Sequence, residues 1–317
     1  MVIIEGESRE ILETMIRLRH HHLVLATVLL AFAVAAHAED GSFTRDGVVL
    51  HYRTAGSGTP VIMLSGGPGL EVDYMLPVGD FLPASYQRVF LEQRGTGRSR
   101  VELTPETMTI HNVVEDLEGL RVHLKQARLF LVGHSWGGML AMAYAAAHPD
   151  RIDKMILIGP GGPTLEFTTW FPDNIRMRLR PEDLEAERSW DDAEKRGVDA
   201  DKAALEGIRA ITPGYFFDRV MGLAFAAQLT DGTVHVKVNR LLFEDMAKHY
   251  DSRPGLQQLN RPVLIVQGHQ DPVGDKTAED IHAAIKTSML TYINKCGHFP
   301  WLEQPDAFRK AIAEFLK

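Results

Sequence analysis

Seven short apolar runs punctuate the chain: Val48–Arg53, Val61–Leu64, Val89–Glu92, Leu129–Val132, Met155–Ile158, Val263–Val266 and Met289–Ile293. Most are continuous rather than alternating, and Gly, Pro or charged residues bound them, which suits strands buried on both faces of a parallel sheet. Helical periods lie between them. Val113, Leu117, Leu120 and Leu124 share one face at four- and three-residue spacing, Met139–Ala147 is apolar nearly all round, and Phe308–Leu316 ends the chain amphipathically. The alternation predicts an α/β fold: an open, mostly parallel sheet with helices on both faces.

The alternation breaks between residues 161 and 259. Charged and aromatic residues dominate there, helical runs are predicted at Pro181–Lys195, Lys202–Ile211 and Phe216–Gln228, and only Val234–Val238 reads as a strand. About a hundred residues are too many for a loop. The segment is expected to be a mainly helical cap, inserted before the last two core strands and seated over the sheet's carboxyl edge. The core then comprises residues 39–160 and 260–317.

Residues 1–38 read as an address. Leu23–Ala36 is a 14-residue uncharged apolar run, shorter than the roughly 20 residues of a spanning helix. Arg17 and Arg19 precede it, and Ala36-His37-Ala38 closes it in the small-x-small pattern of a signal-peptidase site. Cleavage after Ala38 is expected, with export to the periplasm or medium and no stable membrane insertion afterwards; an uncleaved N-terminal anchor is the alternative. Initiation at Met15 would give a conventional basic leader, and His20-His21-His22 read as leader polarity rather than as a metal tract.

Composition narrows the functional classes. The 317 residues are 45% hydrophobic, with 34 basic against 42 acidic side chains and a formal charge of −8. Nothing in that balance suits a nucleic-acid partner. A single cysteine, Cys296, excludes an internal disulfide framework and a multi-thiolate zinc site; it reads as a small packing residue.

The candidate chemistry sits after strands. Gly133-His134-Ser135-Trp136-Gly137-Gly138 follows one strand and opens a helix. Its glycines permit a sharp turn that lifts the Ser135 hydroxyl out of the sheet. A serine hydroxyl needs a base. Asp271 and His298 follow the last two strands in the order Ser, Asp, His expected on this sheet type. His298 would take the Ser135 proton, and Asp271 would hold the imidazole tautomer. His269 is the rival base, ranked lower because it shares a loop with Asp271. The amides of Gly67, in Ser65-Gly66-Gly67-Pro68-Gly69, and of Trp136 would form an oxyanion hole, Gly66 being the alternative donor. Glu92-Gln93-Arg94-Gly95-Thr96-Gly97-Arg98-Ser99 reads as a bracing loop with Arg94 in an ion pair.

These motifs together resemble the α/β-hydrolase superfamily and, within it, the proline iminopeptidase (prolyl aminopeptidase) branch. The resemblance spans residues 48–317, loosely over the cap, and implies the α/β-hydrolase fold, the cap and the triad Ser135–His298–Asp271. Ser65 stands where the family usually has His, and Glu92 where it has Asp. The iminopeptidases hold the substrate's free α-amino group with acidic cap residues. In Trp190-Asp191-Asp192-Ala193-Glu194 the resemblance points to Glu194 first and Asp191 second, against a solvated acidic face. No metal or organic cofactor is implied. The expected function is an exported serine hydrolase that releases N-terminal residues from short peptides through an acyl-enzyme. An esterase, lactonase or amidase acting on a small acyl compound is the alternative within enzymes, and a non-catalytic ligand-binding protein the alternative outside them.

Overall fold

A computed structural model describes residues 39–197 and 199–317, with the side chains of 193–195 excepted. The leader, the Met15 start and the His20–His22 tract lie outside the described residues. Eight strands form one sheet: β1 (Glu39–Arg45), β2 (Val48–Ala55), β3 (Thr59–Leu64), β4 (Tyr86–Glu92), β5 (Leu129–His134), β6 (Ile152–Ile158), β7 (Val263–Gly268) and β8 (Ser288–Ile293). Their order is β1-β2-β4-β3-β5-β6-β7-β8. The β1–β2 and β2–β4 pairings are antiparallel, and every later pairing is parallel.

Seven of the eight strands match the apolar runs. The pleat sorts each run between two cores: Ile62, Leu64 and Leu131 face one layer, and Val61, Met63 and Val132 the other. The eighth, β1, was not legible. In EDGSFTR only Phe43 is buried, and the strand is held by its backbone pairing with β2.

The helices follow the same logic. On α1 (Ile110–His123), Val113, Leu117 and Leu120 are buried, and the Thr109 hydroxyl caps the first turn by accepting the Asn112 N–H at 3.1 Å. Leu124 sits at the end of this helix and is only partly buried. α2 (Trp136–Ala147) is buried along almost its whole length, which explains its lack of a polar face. Between β6 and β7 lie the long helices α3 (Pro181–Lys195), α4 (Ala200–Ile211), α5 (Arg219–Ala226) and α6 (Val236–His249), and α7 (Asp275–Ala284) and α8 (Pro305–Phe315) complete the outer layers. None of the helices among the described residues is long and apolar enough to cross a membrane.

Two expectations in this segment are corrected. Val234–Val238 is not a strand: Val234 makes one isolated bridge to Leu70, and α6 begins at Val236. The longer period wins, because Val238, Leu241, Leu242 and Met246 bury one helical face. The expected helix from Phe216 starts only at Arg219. The N–H groups of Phe217 and Asp218 are taken by the Glu303 carboxylate, so Phe216 stays extended.

The bracing loop after β4 contains a buried ion pair. Arg94 donates from Nε and Nη2 to the two Asp116 oxygens at 2.8 and 2.6 Å, with both side chains 4% exposed. Arg45 adds a longer bond to Asp116 at 3.2 Å. Removing one member of such a pair leaves an uncompensated buried charge. Asp116→Ala should therefore lower unfolding stability by about 3–5 kcal/mol, while Arg94→Met combined with Asp116→Leu should recover much of it. Urea midpoints that fall equally for the single and the double variant would contradict this.

Candidate active site

The turn at Ser135 is built by exclusion. Ser135 has φ 55° and ψ −119°, in the left-handed half of backbone space that side chains rarely occupy. A Cβ on Gly133 would lie 2.3 Å from the Gly137 oxygen, and one on Gly137 would lie 2.2 Å from the Leu64 oxygen. The flanking glycines therefore let β5 turn into α2 hard against β3. Ser135 ends up at the N-terminus of α2, at the carboxyl edge of the sheet.

The two other triad candidates meet from β7 and β8. His298 Nδ1 donates to Asp271 Oδ2 at 2.8 Å, and both side chains are buried. Asp271 Oδ1 accepts the Val273 N–H at 2.8 Å, which fixes the carboxylate. Because a carboxylate only accepts, the His298 proton sits on Nδ1 and leaves Nε2 as a lone-pair nitrogen. Ser135 and His298 line one cavity of about 310 Å³. Among the described residues no hydrogen bond joins them directly, and such contacts commonly tighten only when substrate binds. His269 lies elsewhere, bonded to Asp275 at 2.9 Å and stacked on Tyr292.

Gly67 and Trp136 line the same cavity. Gly67 has φ 111°, so the Gly-Gly-Pro-Gly loop turns there as only glycine readily does. Gly66 is removed as a donor to the cavity, since its N–H is bonded to the Tyr74 hydroxyl at 2.5 Å. Gln93 braces the arrangement. Its amide nitrogen donates to Ser65 O and Oγ at 2.9 and 3.1 Å, and its oxygen accepts the Trp136 indole N–H at 2.8 Å. Ser65 Oγ in turn donates to Leu70 O at 2.8 Å. A serine thus occupies the usual histidine position without leaving the loop unsupported.

A second hydrogen-bonded chain was not foreseen. His134 Nε2 is 3.0 Å from the His298 carbonyl, which can only accept, so this nitrogen carries the proton. Nδ1 then accepts from the Tyr74 hydroxyl at 2.8 Å, and the Tyr74 oxygen accepts from Gly66. Burial, with the neighbouring His298 adding to it, holds His134 well below the usual histidine range, so the ring is neutral. The chain links the Gly66 loop, the serine turn and the His298 loop.

The His298 loop is also tied to the helical segment. Its N–H donates to Tyr215 O at 2.8 Å. Glu303 accepts the Gly297 N–H on Oε2 at 2.6 Å and the Phe217 and Asp218 N–H groups on Oε1 at 2.6 and 2.9 Å. A Cβ on Gly297 would lie 2.1 Å from the Tyr215 oxygen, so the approach requires glycine. Burial is the leading influence on Glu303 and pushes its carboxyl up to about 7 despite the three donors. Cys296 beside it is buried, which raises its thiol and leaves it a packing group.

Of the two candidates for amine recognition, Asp191 is not among the described residues that line this cavity. Asp191 lines a neighbouring recess with Arg176, Arg188 and Ala203, separated from the cavity by Ile208, Ile211 and Val236. The side chain of Glu194 lies outside those described. The catalytic-edge cavity is walled by Leu70, Met139, Phe167, Phe171, Phe225 and Phe299, among others, and no Asp or Glu is among its described lining residues.

The "alpha/beta hydrolase fold" family signature matches residues 59–203. The chain has the α/β-hydrolase fold. It is 24% identical over 298 residues to a proline iminopeptidase of Thermoplasma volcanium, covering 89% of this chain and 98% of that protein. It is 28% identical over 284 residues to the 2-hydroxy-6-oxo-6-phenylhexa-2,4-dienoate hydrolase of Comamonas testosteroni, covering 85% and 91%. The solved structure of a proline iminopeptidase-related protein of Thermus thermophilus superposes with a TM-score of 0.66 at 22% identity, covering 88% and 97%. These similarities, with the fold, support a serine hydrolase akin to the proline iminopeptidases.

Glu303 gives a pH-dependent signature. A carboxyl raised from 4.5 to about 7 keeps its proton in the fold while the unfolded chain releases it. Its contribution to stability therefore falls as pH rises between about 4.5 and 7. The melting-temperature difference between wild type and Glu303→Gln should move in the variant's favour from pH 5 to pH 8. A difference independent of pH would show that the carboxyl is not held this way.

Proposed function

We propose that this hydrolase cleaves esters or amides of a compact apolar acyl group by a double displacement on Ser135. Ser135 Oγ bonds to the substrate carbonyl carbon as its proton passes to His298 Nε2, and Asp271 steadies the imidazolium. The amides of Gly67 and Trp136 hold the oxyanion, each donor contributing about 2.7–4 kcal/mol. Collapse breaks the carbonyl's bond to the leaving oxygen or nitrogen, which takes the proton from His298. Water then repeats the sequence, with His298 as its base, and frees the acid. Residues 161–259 act as the cap that closes this reaction off from solvent.

One observation carries the choice of substrate: the cavity that holds Ser135 and His298 is apolar, and no described carboxylate lines it. An acyl group bearing a protonated amine would be desolvated there without a counter-charge. A second reading, release of N-terminal proline, is favoured by the iminopeptidase relatives, and the prolyl ring is itself compact and apolar. It requires a carboxylate such as Glu194 to reach the substrate amine. The leader reading goes with either: a periplasmic protein beginning at Glu39 on N-terminal sequencing would support export, and recovery only from cytosol with an earlier start would overturn it.

A fluorophosphonate should label wild type and not Ser135→Ala, and Ser135→Ala and His298→Ala should each lower kcat by several orders of magnitude without changing the melting temperature much. p-Nitrophenyl butyrate should be turned over with a higher kcat/KM than L-prolyl-β-naphthylamide. The reverse order would establish the aminopeptidase. Absence of labelling with folded protein would leave a ligand-binding protein instead.

A further inference from the structure

In this apolar cavity the few polar side chains that are not part of the proposed catalytic set stand out. Thr212 spends its hydroxyl proton on Ile208 O at 2.7 Å, and both His134 nitrogens are engaged, one by the His298 carbonyl and one by Tyr74. The Tyr215 hydroxyl has no hydrogen-bond partner among the described residues, but it rotates and can either donate or accept; Asn239, on α6, is different. Its Nδ2 donates to Pro68 O at 3.2 Å, a carbonyl of the same loop that carries Gly67. Since that carbonyl only accepts, the amide can be oriented only one way, with nitrogen toward Pro68 and Oδ1 turned from it. Asn239 lines the cavity, and Oδ1 has no hydrogen-bond partner among the described residues. Nor is it among the unpartnered side-chain oxygens sealed away from solvent, so Oδ1 is an accessible acceptor on a side chain that lines the cavity.

The consequence is a neutral acceptor fixed in place, beside the oxyanion loop, in a largely apolar site. We infer that Asn239 is a specificity-determining residue that accepts a hydrogen bond from an uncharged N–H or O–H donor on the substrate's acyl group. This rests on the proposed acyl-hydrolase reading and narrows it: the favoured acyl groups are compact, apolar over most of their surface and carry one neutral donor, as in N-acylamino or hydroxy acids. A neutral amide oxygen bonds such a donor without the desolvation cost that a buried carboxylate incurs. The anchoring bond to Pro68 matters to the argument, because it holds the acceptor in one position rather than leaving a rotatable amide that offers either end.

Two esters separate this role from a structural one. p-Nitrophenyl N-acetylglycinate and p-nitrophenyl 4-oxopentanoate differ only by NH in place of CH2. In wild type the ratio of their kcat/KM values, each corrected for spontaneous hydrolysis, should exceed the ratio of the esters' reactivities toward hydroxide by about five- to tenfold, the value of one net hydrogen bond. Asn239→Leu should bring the ratio close to that of the esters' intrinsic reactivity toward hydroxide. Because Asn239→Leu also removes the bond to Pro68, absolute rates fall for either role; the ratio does not respond to a damaged loop. Fluorophosphonate labelling of Ser135 in wild type and variant reports the folded, reactive site. A ratio unchanged by Asn239→Leu, with labelling intact, would overturn the assignment of Asn239. Loss of labelling in wild type would overturn the hydrolase reading beneath it, a separate outcome.

Discussion

The backbone at Ser135 is the constraint on which the site depends. A non-glycine residue at φ 55° is strained, and it persists only because its surroundings leave no alternative. Those surroundings are backbone atoms: Gly133 against Gly137, and Gly137 against Leu64, at separations that no Cβ could share. The strain therefore fixes three things at once. The serine is presented at the sheet edge, the Trp136 amide is presented beside it as the first residue of α2, and the Ser65–Gly69 loop is brought alongside through β3. Burial of α2 on nearly all sides supplies the packing that holds the turn in this form.

Around that turn the structure relies on groups with no freedom of tautomer or rotamer. His298 is fixed by a carboxylate that only accepts and His134 by a carbonyl that only accepts. Gln93 is fixed by an indole N–H that only donates. Each amide or imidazole is thus oriented by a partner of single polarity, which removes the reorganisation a reacting site would otherwise need. The same device recurs at Asn239 against Pro68. The loop carrying Gly67, one of the two proposed oxyanion donors, is consequently held by Gln93 at Ser65, by Tyr74 at Gly66 and by Asn239 from the helical segment.

The parts of this arrangement that were legible in the sequence are those written in local patterns. The buried strands show as apolar runs because both faces of a parallel sheet are covered. Ser135, Asp271 and His298 show because each lies at a strand end in a short motif with turn glycines. β1 was invisible because an edge strand held by backbone bonds needs only one apolar side chain. Val234–Val238 misled because five residues fit either period, and only the buried face extending to Met246 decides between them. Tyr74, His134, Asn239 and Glu303 were missed for a different reason. Their roles are contacts between elements far apart in the chain, 164 positions in the case of His134 and His298. A signal did exist for Glu303, five residues past His298 and two before Pro305, but its meaning is set by Phe217 and Asp218, which nothing nearby in the sequence indicates.

Glu303 and Tyr215 also bear on how specificity and chemistry are related in this fold. The helical segment does more than line the cavity, since its Tyr215 carbonyl and its Phe217 and Asp218 amides are bonded directly to the loop that carries His298 or to the carboxylate supporting it. A change in how that segment sits would move the imidazole along with the cavity wall. Phe216 stacks on Phe299 at 4.6 Å with the rings nearly parallel, which couples the same two pieces through apolar contact. Sequence divergence in the helical segment is therefore constrained at residues 215–218 by the position of His298, and freer at α3 and α4, which meet neither His298 nor Glu303 through any hydrogen bond among the described residues. Variation in substrate among relatives can then accumulate on the walls without disturbing the reacting groups. That division of labour explains how a chain can keep the Ser135, Asp271 and His298 arrangement intact while no carboxylate lines its cavity among the described residues.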